Sequence, residues 1–132
     1  VLEKAAKGIF PIAQMKQYSE NYILSGGKED FSSYYMANYD DAKFDKNLSD
    51  RMIFSTHNLV SDSSFNEFQL VVCRNVLIYL EKDLQNHVFS LFDESLDNLG
   101  FLALGAKETI RFSNLENKYR QLDMEKIWRK NM

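Results

Sequence analysis

The sequence has one cysteine, one proline and five glycines among its 132 residues. Because Cys73 has no second cysteine to pair with, an internal disulfide framework is excluded, and a reducing, cytoplasmic compartment is expected. Sparse glycine and proline, together with 14% aromatic residues, also exclude a fibrous or disordered chain. The composition therefore indicates a folded globular protein.

Long apolar runs and an excess of positive charge are absent as well. The longest apolar stretch, residues 70–80, is shorter than the roughly 20 residues that cross a bilayer, so no membrane insertion is expected. Sixteen basic against nineteen acidic residues give a net charge of −3, which argues against a nucleic-acid-binding surface. Because His57 and His87 are far apart in sequence and Cys73 is single, no zinc site is expected either.

The chain opens on a helical pattern with no initiator methionine and no capping residue before it. This pattern suits the end of a helix that stops at Gly8. Extended backbone is predicted at residues 9–11, and residues 12–22 show weak helical spacing. A loop at 25–27 leads to an aromatic-rich stretch, 31–50, which predicts one or two short antiparallel strands. We expect the chain to be a segment of a longer protein.

The second half of the chain has the clearer periodicity. Two apolar strands flank an amphipathic helix that is closed by Gly100, and together they form a βαβ unit. A further strand precedes this unit, and a hairpin follows it. The strands are predicted at 51–56, 68–73 and 101–105, the helix at 83–99, and the hairpin at 119–122 with 126–129. The strand at 68–73 is apolar throughout, as in a strand buried on both faces.

Two of the predicted strands end on a polar pair that contains asparagine. Asn58 follows the strand at 51–56, and Arg74 with Asn75 follows the strand at 68–73. Parallel strands place ligand-binding residues just beyond their carboxyl ends, and an asparagine side chain suits an adenine edge or a ribose hydroxyl. The alternatives are a turn residue at Asn58 and an ordinary strand end at Arg74 and Asn75.

The run from Phe68 to Tyr79, F-Q-L-V-V-C-R-N-V-L-I-Y, resembles the signature F-D-L-I-x-C-R-N-V-L-I-Y-F of CheR-type chemotaxis receptor methyltransferases. Three further segments resemble that family in the same order, so the resemblance covers the whole chain. They are V-L-E-K-A-A-K-G-I-F at 1–10, I-F-S-T-H-N-L at 53–59 and L-G-F-L-A-L-G at 99–105.

The resemblance implies an α/β fold, a Rossmann-like S-adenosylmethionine-dependent methyltransferase domain with strand order 3-2-1-4-5-7-6. Residues 1–132 would form part of that domain, with strands 3 to 7 present, strands 1 and 2 missing, and a small β-subdomain inserted at about 31–50. Members of the family methylate glutamate side chains of chemoreceptors and release S-adenosylhomocysteine. The implied partner is a methyl-accepting chemoreceptor or a related signalling protein.

The resemblance also implies the site residues. Asn58 and Leu59 would lie against the adenosine, Arg74 and Asn75 beside the methionine and sulfonium, and Tyr79 at the site of methyl transfer. Arg74 and Tyr79 are the candidate catalytic residues, because an arginine can grip a carboxylate with two hydrogen bonds and a tyrosine hydroxyl can orient the attacking oxygen. A core tyrosine is the alternative for Tyr79.

Two departures from the family pattern keep a second interpretation open. Gln69 stands where the family has aspartate, and A-K-E at 106–108 stands where it has H-S-E. The alternative function is a non-catalytic, methyltransferase-like binding or signalling module. Because the missing strands 1 and 2 would lie between strands 3 and 4, we expect the isolated segment to be inactive and to self-associate or swap strands.

Overall fold

The computed structural model describes residues 1–61, 63 and 67–131. The chain divides into two compact units, Val1–Thr56 and His57–Met132. None of the described helices is long and apolar enough to span a membrane.

The first unit contains two helices and a small antiparallel sheet with strand order β1-β3-β2. Helix α1 ends where expected, because Gly8 adopts a left-handed conformation (φ +67°) and its N–H bonds the carbonyl of Ala5. The predicted antiparallel strands within 31–50 are β2 and β3. The elements are α1 (Leu2–Lys7), β1 (Ile9–Pro11), α2 (Met15–Leu24), β2 (Tyr35–Asn38) and β3 (Asp41–Phe44), with 3₁₀ turns at Ile12–Gln14, Phe31–Tyr34 and Lys46–Ser49.

Aromatic rings form the small core of this unit. The ring of Phe31 lies beside four other aromatic rings, at centroid distances of 5.5–6.3 Å. The hydroxyl groups of Tyr22 and Tyr34 are hydrogen-bonded to each other at 3.1 Å. The cluster explains the aromatic density of this stretch. Its members are Phe10, Tyr22, Phe31, Tyr34, Tyr35 and Phe44.

The prediction of a strand at 51–56 is wrong. Residues 52–56 have no regular secondary structure, and no described strand pairs with them. A strand is stable only when a neighbour takes up its backbone hydrogen bonds, and side-chain pattern cannot supply that neighbour. The apolar side chain of Ile53 is accordingly 93% exposed.

The second unit is a βαβ unit extended by a hairpin. Strands β4 and β5 are parallel, whereas β5 pairs with β7 and β7 with β6 in antiparallel fashion. The order β4-β5-β7-β6 agrees with positions 4-5-7-6 of the order that the resemblance implied. The elements are β4 (Phe68–Cys73), α3 (Lys82–Ser95), β5 (Leu96–Leu104), β6 (Tyr119–Gln121) and β7 (Ile127–Lys130), with a 3₁₀ turn at Leu77–Tyr79.

Helix α3 covers one face of this sheet and forms the core with it. Val88, Phe89 and Phe92 of the helix are buried with Leu102 and Trp128 of the sheet. The predicted βαβ unit and the hairpin are therefore confirmed.

Two details of the prediction are wrong. Helix α3 ends at Ser95 rather than continuing to residue 99, because Leu96 already pairs with Phe68 and the Lys130 ammonium binds the carbonyls of Asp93 (2.7 Å) and Leu96 (3.0 Å). Strand β4 is not buried on both faces. Leu70 and Val72 are 55% and 59% exposed, since β4 is an edge strand and α3 covers only the opposite face.

Candidate functional site

The candidate site lies where β4 ends, in the turn formed by residues 74–80. Since β4 and β5 are parallel, their carboxyl ends lie side by side, and the loop after β5 reaches this turn. The side chain of Glu108, in the loop after β5, makes hydrogen bonds to this turn.

The buried carboxylate of Glu108 accepts hydrogen bonds from five backbone N–H groups. Four of the donors belong to the turn after β4, and the fifth is Gly105 at the end of β5. The donors are Asn75 (2.9 Å) and Gly105 (2.7 Å) to Oε1, and Val76 (3.1 Å), Leu77 (2.8 Å) and Ile78 (3.3 Å) to Oε2. The carboxylate thus joins the two loops.

Two opposing effects determine the charge of Glu108. Burial raises the pKa of this carboxyl, but the hydrogen bonds from the backbone N–H groups of Asn75, Gly105, Leu77 and Ile78 together lower it below its usual range. Glu108 is therefore ionised at neutral pH. Its negative charge and the burial of Cys73 raise the pKa of that thiol to about 11, with burial as the larger cause, so Cys73 is an inert core residue.

Helix α3 holds the carbonyl groups of the same turn. The side-chain amide of Gln85 donates to the carbonyl of Leu77 (2.7 Å) and to that of Leu80 (3.1 Å). Leu77 itself is buried in the core. The turn is therefore fixed through its N–H groups, its carbonyl groups and one apolar anchor.

The backbone at Asn75 and Gly105 also restricts which residues can occupy the site. Asn75 adopts a left-handed conformation (φ +62°), which asparagine tolerates better than most residues. A Cβ atom at position 105 would lie 2.3 Å from Oδ1 of Asn75 and 2.8 Å from Oε1 of Glu108, so a larger residue there would displace the side chains that shape the turn. The missing side chain of Gly105 therefore leaves room for the side chain of Asn75.

The structure brings three of the predicted site residues together on this turn. Arg74, Asn75 and Tyr79 are all exposed, and the Tyr79 side chain is 81% exposed. Within the described residues, Arg74 has no carboxylate partner at ion-pair distance. An exposed guanidinium and a phenol on a rigid turn can bind and orient a carboxylate.

Asn58 and Leu59 lie on a separate turn of the same unit. Oδ1 of Asn58 accepts a hydrogen bond from the N–H of Val60 (3.0 Å), and its carbonyl accepts one from Ser61 (3.3 Å). Leu59 packs against the core of the unit, and Asn58 is exposed. The amide of Asn58 suits a ligand hydroxyl group, and the guanidinium of Arg74 suits a carboxylate.

A family model described as "CheR methyltransferase, SAM binding domain" matches residues 1–127. The chain belongs to this family. The CheR resemblance predicted from the residues is therefore confirmed, as is the methyltransferase α/β fold, and S-adenosylmethionine is the cofactor that the family implies.

Three curated relatives of known organism illustrate the family. The protein named "Putative methyltransferase Cher3" of Pseudomonas putida is 47% identical over 130 residues, which cover 98% of this chain and 48% of that protein. The chemotaxis protein methyltransferase of Listeria monocytogenes is 31% identical, covering 83% of this chain and 39% of that protein. The chemotaxis protein methyltransferase of Borreliella burgdorferi is also 31% identical, and the match covers 88% of this chain and 40% of that protein.

The chain therefore spans half or less of the length of these CheR-family relatives. Sequence reasoning missed two residues that shape the turn, Glu108 and Gln85. Glu108 did carry a signal, because it matches the glutamate of the H-S-E segment of the family while the two preceding residues do not. Gln85 is a polar residue near the start of an amphipathic helix, and nothing in the sequence marks it.

Proposed function

We propose that the natural protein containing these 132 residues, here called the intact protein, methylates glutamate side chains of a chemoreceptor or a related signalling protein. Membership of the CheR family supports methyl transfer from S-adenosylmethionine. One observation supports a carboxylate acceptor: the exposed Arg74 and Tyr79 lie on a turn whose backbone is fixed by Glu108 and Gln85. The single cysteine, Cys73, supports a cytoplasmic location.

S-adenosylmethionine supplies an electrophilic methyl group when it is bound. The glutamate carboxylate that receives this group is already an anion at neutral pH, so the protein has no proton to remove from it. The contribution of the chain is therefore to orient the carboxylate and to compensate its charge. The bound cofactor would supply its methyl group to a carboxylate oxygen and would leave as S-adenosylhomocysteine, whose sulfur keeps the electron pair of the broken S–CH₃ bond.

Two side chains of the turn are suited to these tasks. We assign the grip on the acceptor carboxylate to the guanidinium of Arg74, which can donate two parallel hydrogen bonds. We assign orientation of the attacking oxygen to the hydroxyl of Tyr79. Asn58, Leu59, Arg74 and Asn75 would hold the cofactor, Leu59 by apolar contact and the other three by hydrogen bonds.

Calorimetric titration of the intact protein with S-adenosylhomocysteine tests the cofactor part of this proposal. Replacing Arg74 by alanine should weaken binding by about tenfold or more, since a hydrogen bond to a charged group contributes about 1.5–3 kcal/mol. Replacing Asn58 by alanine should weaken binding by about twofold to tenfold, since a neutral hydrogen bond contributes about 0.5–1.5 kcal/mol. Arg120→Ala on β6 is the matched control, because Arg120 is exposed and lies outside both turns. Unchanged affinity in both site variants would contradict the assignment.

A second candidate function is a methyltransferase-like module that binds the cofactor without transferring the methyl group. Ala106 and Lys107 favour this second function, because they lie beside the candidate site and stand where the family has histidine and serine. Gln69 does not bear on it, because its amide donates to the carboxylate of Asp97 (2.7 Å) at the far end of β4. Cofactor binding without methylation of any chemoreceptor fragment would support this second function.

We further propose that the 132-residue chain by itself is inactive and self-associates. The support is the exposed apolar face of the second sheet, to which Leu70 and Val72 contribute, and the open edge of β4. Unpaired edges with exposed apolar residues favour pairing with another chain.

A further inference from the structure

A pocket adjoins the turn that carries Arg74 and Tyr79. Its volume is about 280 Å³, and it lies between the start of α3 and residues 109–113. Gln85, which holds the carbonyl groups of the turn, also lines the pocket, and Thr109 in its wall directly follows Glu108. The pocket and the candidate site therefore share one side chain, that of Gln85.

The charge of the pocket is positive. Lys82 and Arg111 line it, both are exposed, and neither has a carboxylate at ion-pair distance within the described part of the chain. The polar side chains of Asn86 and Ser113 in the wall are engaged in hydrogen bonds within the chain. In a chain of net charge −3, two unpaired cations in one concave site favour an anionic ligand.

An aromatic ring forms the rim of this pocket. Phe112 is 71% exposed and adopts a left-handed backbone conformation (φ +62°), in which a phenylalanine is strained. Its N–H donates to the carboxylate of Glu116 (3.0 Å), and the guanidinium of Arg111 lies 5.4 Å from its ring centroid. The rim thus offers an apolar surface beside the two cations, which suits a peptide more than a small free anion.

We propose that this pocket binds an acidic side chain of the protein substrate that lies close to the glutamate receiving the methyl group. This inference rests on the proposed function, since it requires a protein substrate at the neighbouring turn. Lys82 and Arg111 pair with the acidic side chain, while Phe112 contacts an apolar neighbour in the substrate. The pocket would therefore select which glutamate of the substrate reaches Arg74.

Fluorescence anisotropy with the intact protein tests this proposal. The probe is a fluorescein-labelled peptide of repeated Glu-Glu-Ala-Phe units, and its matched control has glutamine in place of glutamate. The double variant Lys82→Gln/Arg111→Gln should weaken binding of the acidic peptide by about tenfold, as expected from two ion pairs at a partly exposed site. The double variant Lys28→Gln/Arg120→Gln removes the same charge at exposed positions elsewhere and should change binding by less than about twofold.

A second variant separates contact from folding. Phe112→Gly removes the ring, and glycine adopts the left-handed conformation without strain, so the fold should be retained and peptide binding weakened. Free glutamate at an equal concentration of carboxylate should not displace the peptide.

Three results would overturn the proposal: equal loss of affinity in both double variants, equal binding of the glutamine peptide, or displacement by free glutamate. Calorimetry with S-adenosylhomocysteine is run on the same proteins, and Lys82→Gln/Arg111→Gln should leave that affinity unchanged. If the wild type bound the acidic peptide but no S-adenosylhomocysteine, the proposed function would fail and the peptide site would stand.

Discussion

At the scale of single residues, Glu108 is the side chain on which the geometry of the candidate site depends most. A buried carboxylate is normally destabilising, because it loses its hydration. Here five backbone N–H groups replace the water, four of them from the turn that carries Arg74 and Tyr79. The same charge that stabilises the fold therefore also positions the exposed residues of the site.

Replacing Glu108 by glutamine tests this role. The glutamine amide would direct N–H donors at backbone N–H groups, so part of the cluster would be left without an acceptor. We expect the free energy of unfolding at neutral pH to fall by about 3 kcal/mol, as for loss of charged buried hydrogen bonds. Glu94→Gln on the exposed side of α3 is the control and should have little effect. Denaturant titration measures both, and equal stability of the two variants would contradict this role.

The pH dependence of the same variant gives an independent check. The backbone hydrogen bonds hold the pKa of Glu108 below its ordinary value of 4.5 despite burial, which acts in the opposite direction. The stabilisation by Glu108 is therefore fully present above about pH 4.5 and is lost as the pH falls through the lower folded-state pKa. The stability difference between wild type and Glu108→Gln should shrink on acidification. If the stability difference between the two proteins stayed constant across the acid range, the charge of Glu108 would not be the source of the stabilisation.

At the scale of secondary-structure elements, β4 has an exposed apolar face and an edge with which no described strand pairs. Its inner face packs on α3, while its outer face exposes Leu70 and Val72, next to Phe101 and Ala103 of β5. No described strand pairs with its free edge. Exposed apolar faces of this kind are typical of association surfaces.

Light scattering on the 132-residue chain tests the proposed self-association. The wild-type chain should give a mass above that of a monomer, and Leu70→Lys/Val72→Lys should shift it toward the monomer, because buried lysines disfavour the interface. Ile23→Lys/Leu24→Lys on α2 is the control, since both residues are exposed in the other unit. A monodisperse wild-type monomer would contradict the association, and transfer of label from methyl-labelled S-adenosylmethionine by the 132-residue chain would contradict the inactivity.

The elements also show how far sequence reasoning reaches. Helix α3 was predictable because its apolar residues recur at helical spacing, and strand β4 because it is a continuous apolar run. Gly8 was predictable as a helix stop. The strand expected at 51–56 was not, because pairing depends on a neighbour that the local pattern does not specify. The end of α3 depends on Lys130, which lies far away in sequence.

The candidate site shows the same division. The position of Arg74, Asn75 and Tyr79 just beyond the end of β4 was predictable because they follow an apolar strand within a specific motif, whereas their roles stay a prediction. The role of Glu108 required knowledge of burial and of the N–H groups that point at it. Both arise only when parallel pairing brings the ends of β4 and β5 together.

At the scale of the whole molecule, the central claim is that the intact protein transfers a methyl group to glutamate. Membership of the CheR family and the fixed turn at 74–80 support it. The claim concerns chemistry that neither the fold nor a binding measurement demonstrates. It therefore requires an assay of the product.

The most direct measurement uses the intact protein, methyl-labelled S-adenosylmethionine and the cytoplasmic fragment of a chemoreceptor from the same organism. We predict that label enters glutamate side chains as an ester that mild base releases as methanol, and that Arg74→Ala abolishes most of the incorporation. Binding of S-adenosylhomocysteine without any base-labile label on the receptor would contradict the claim.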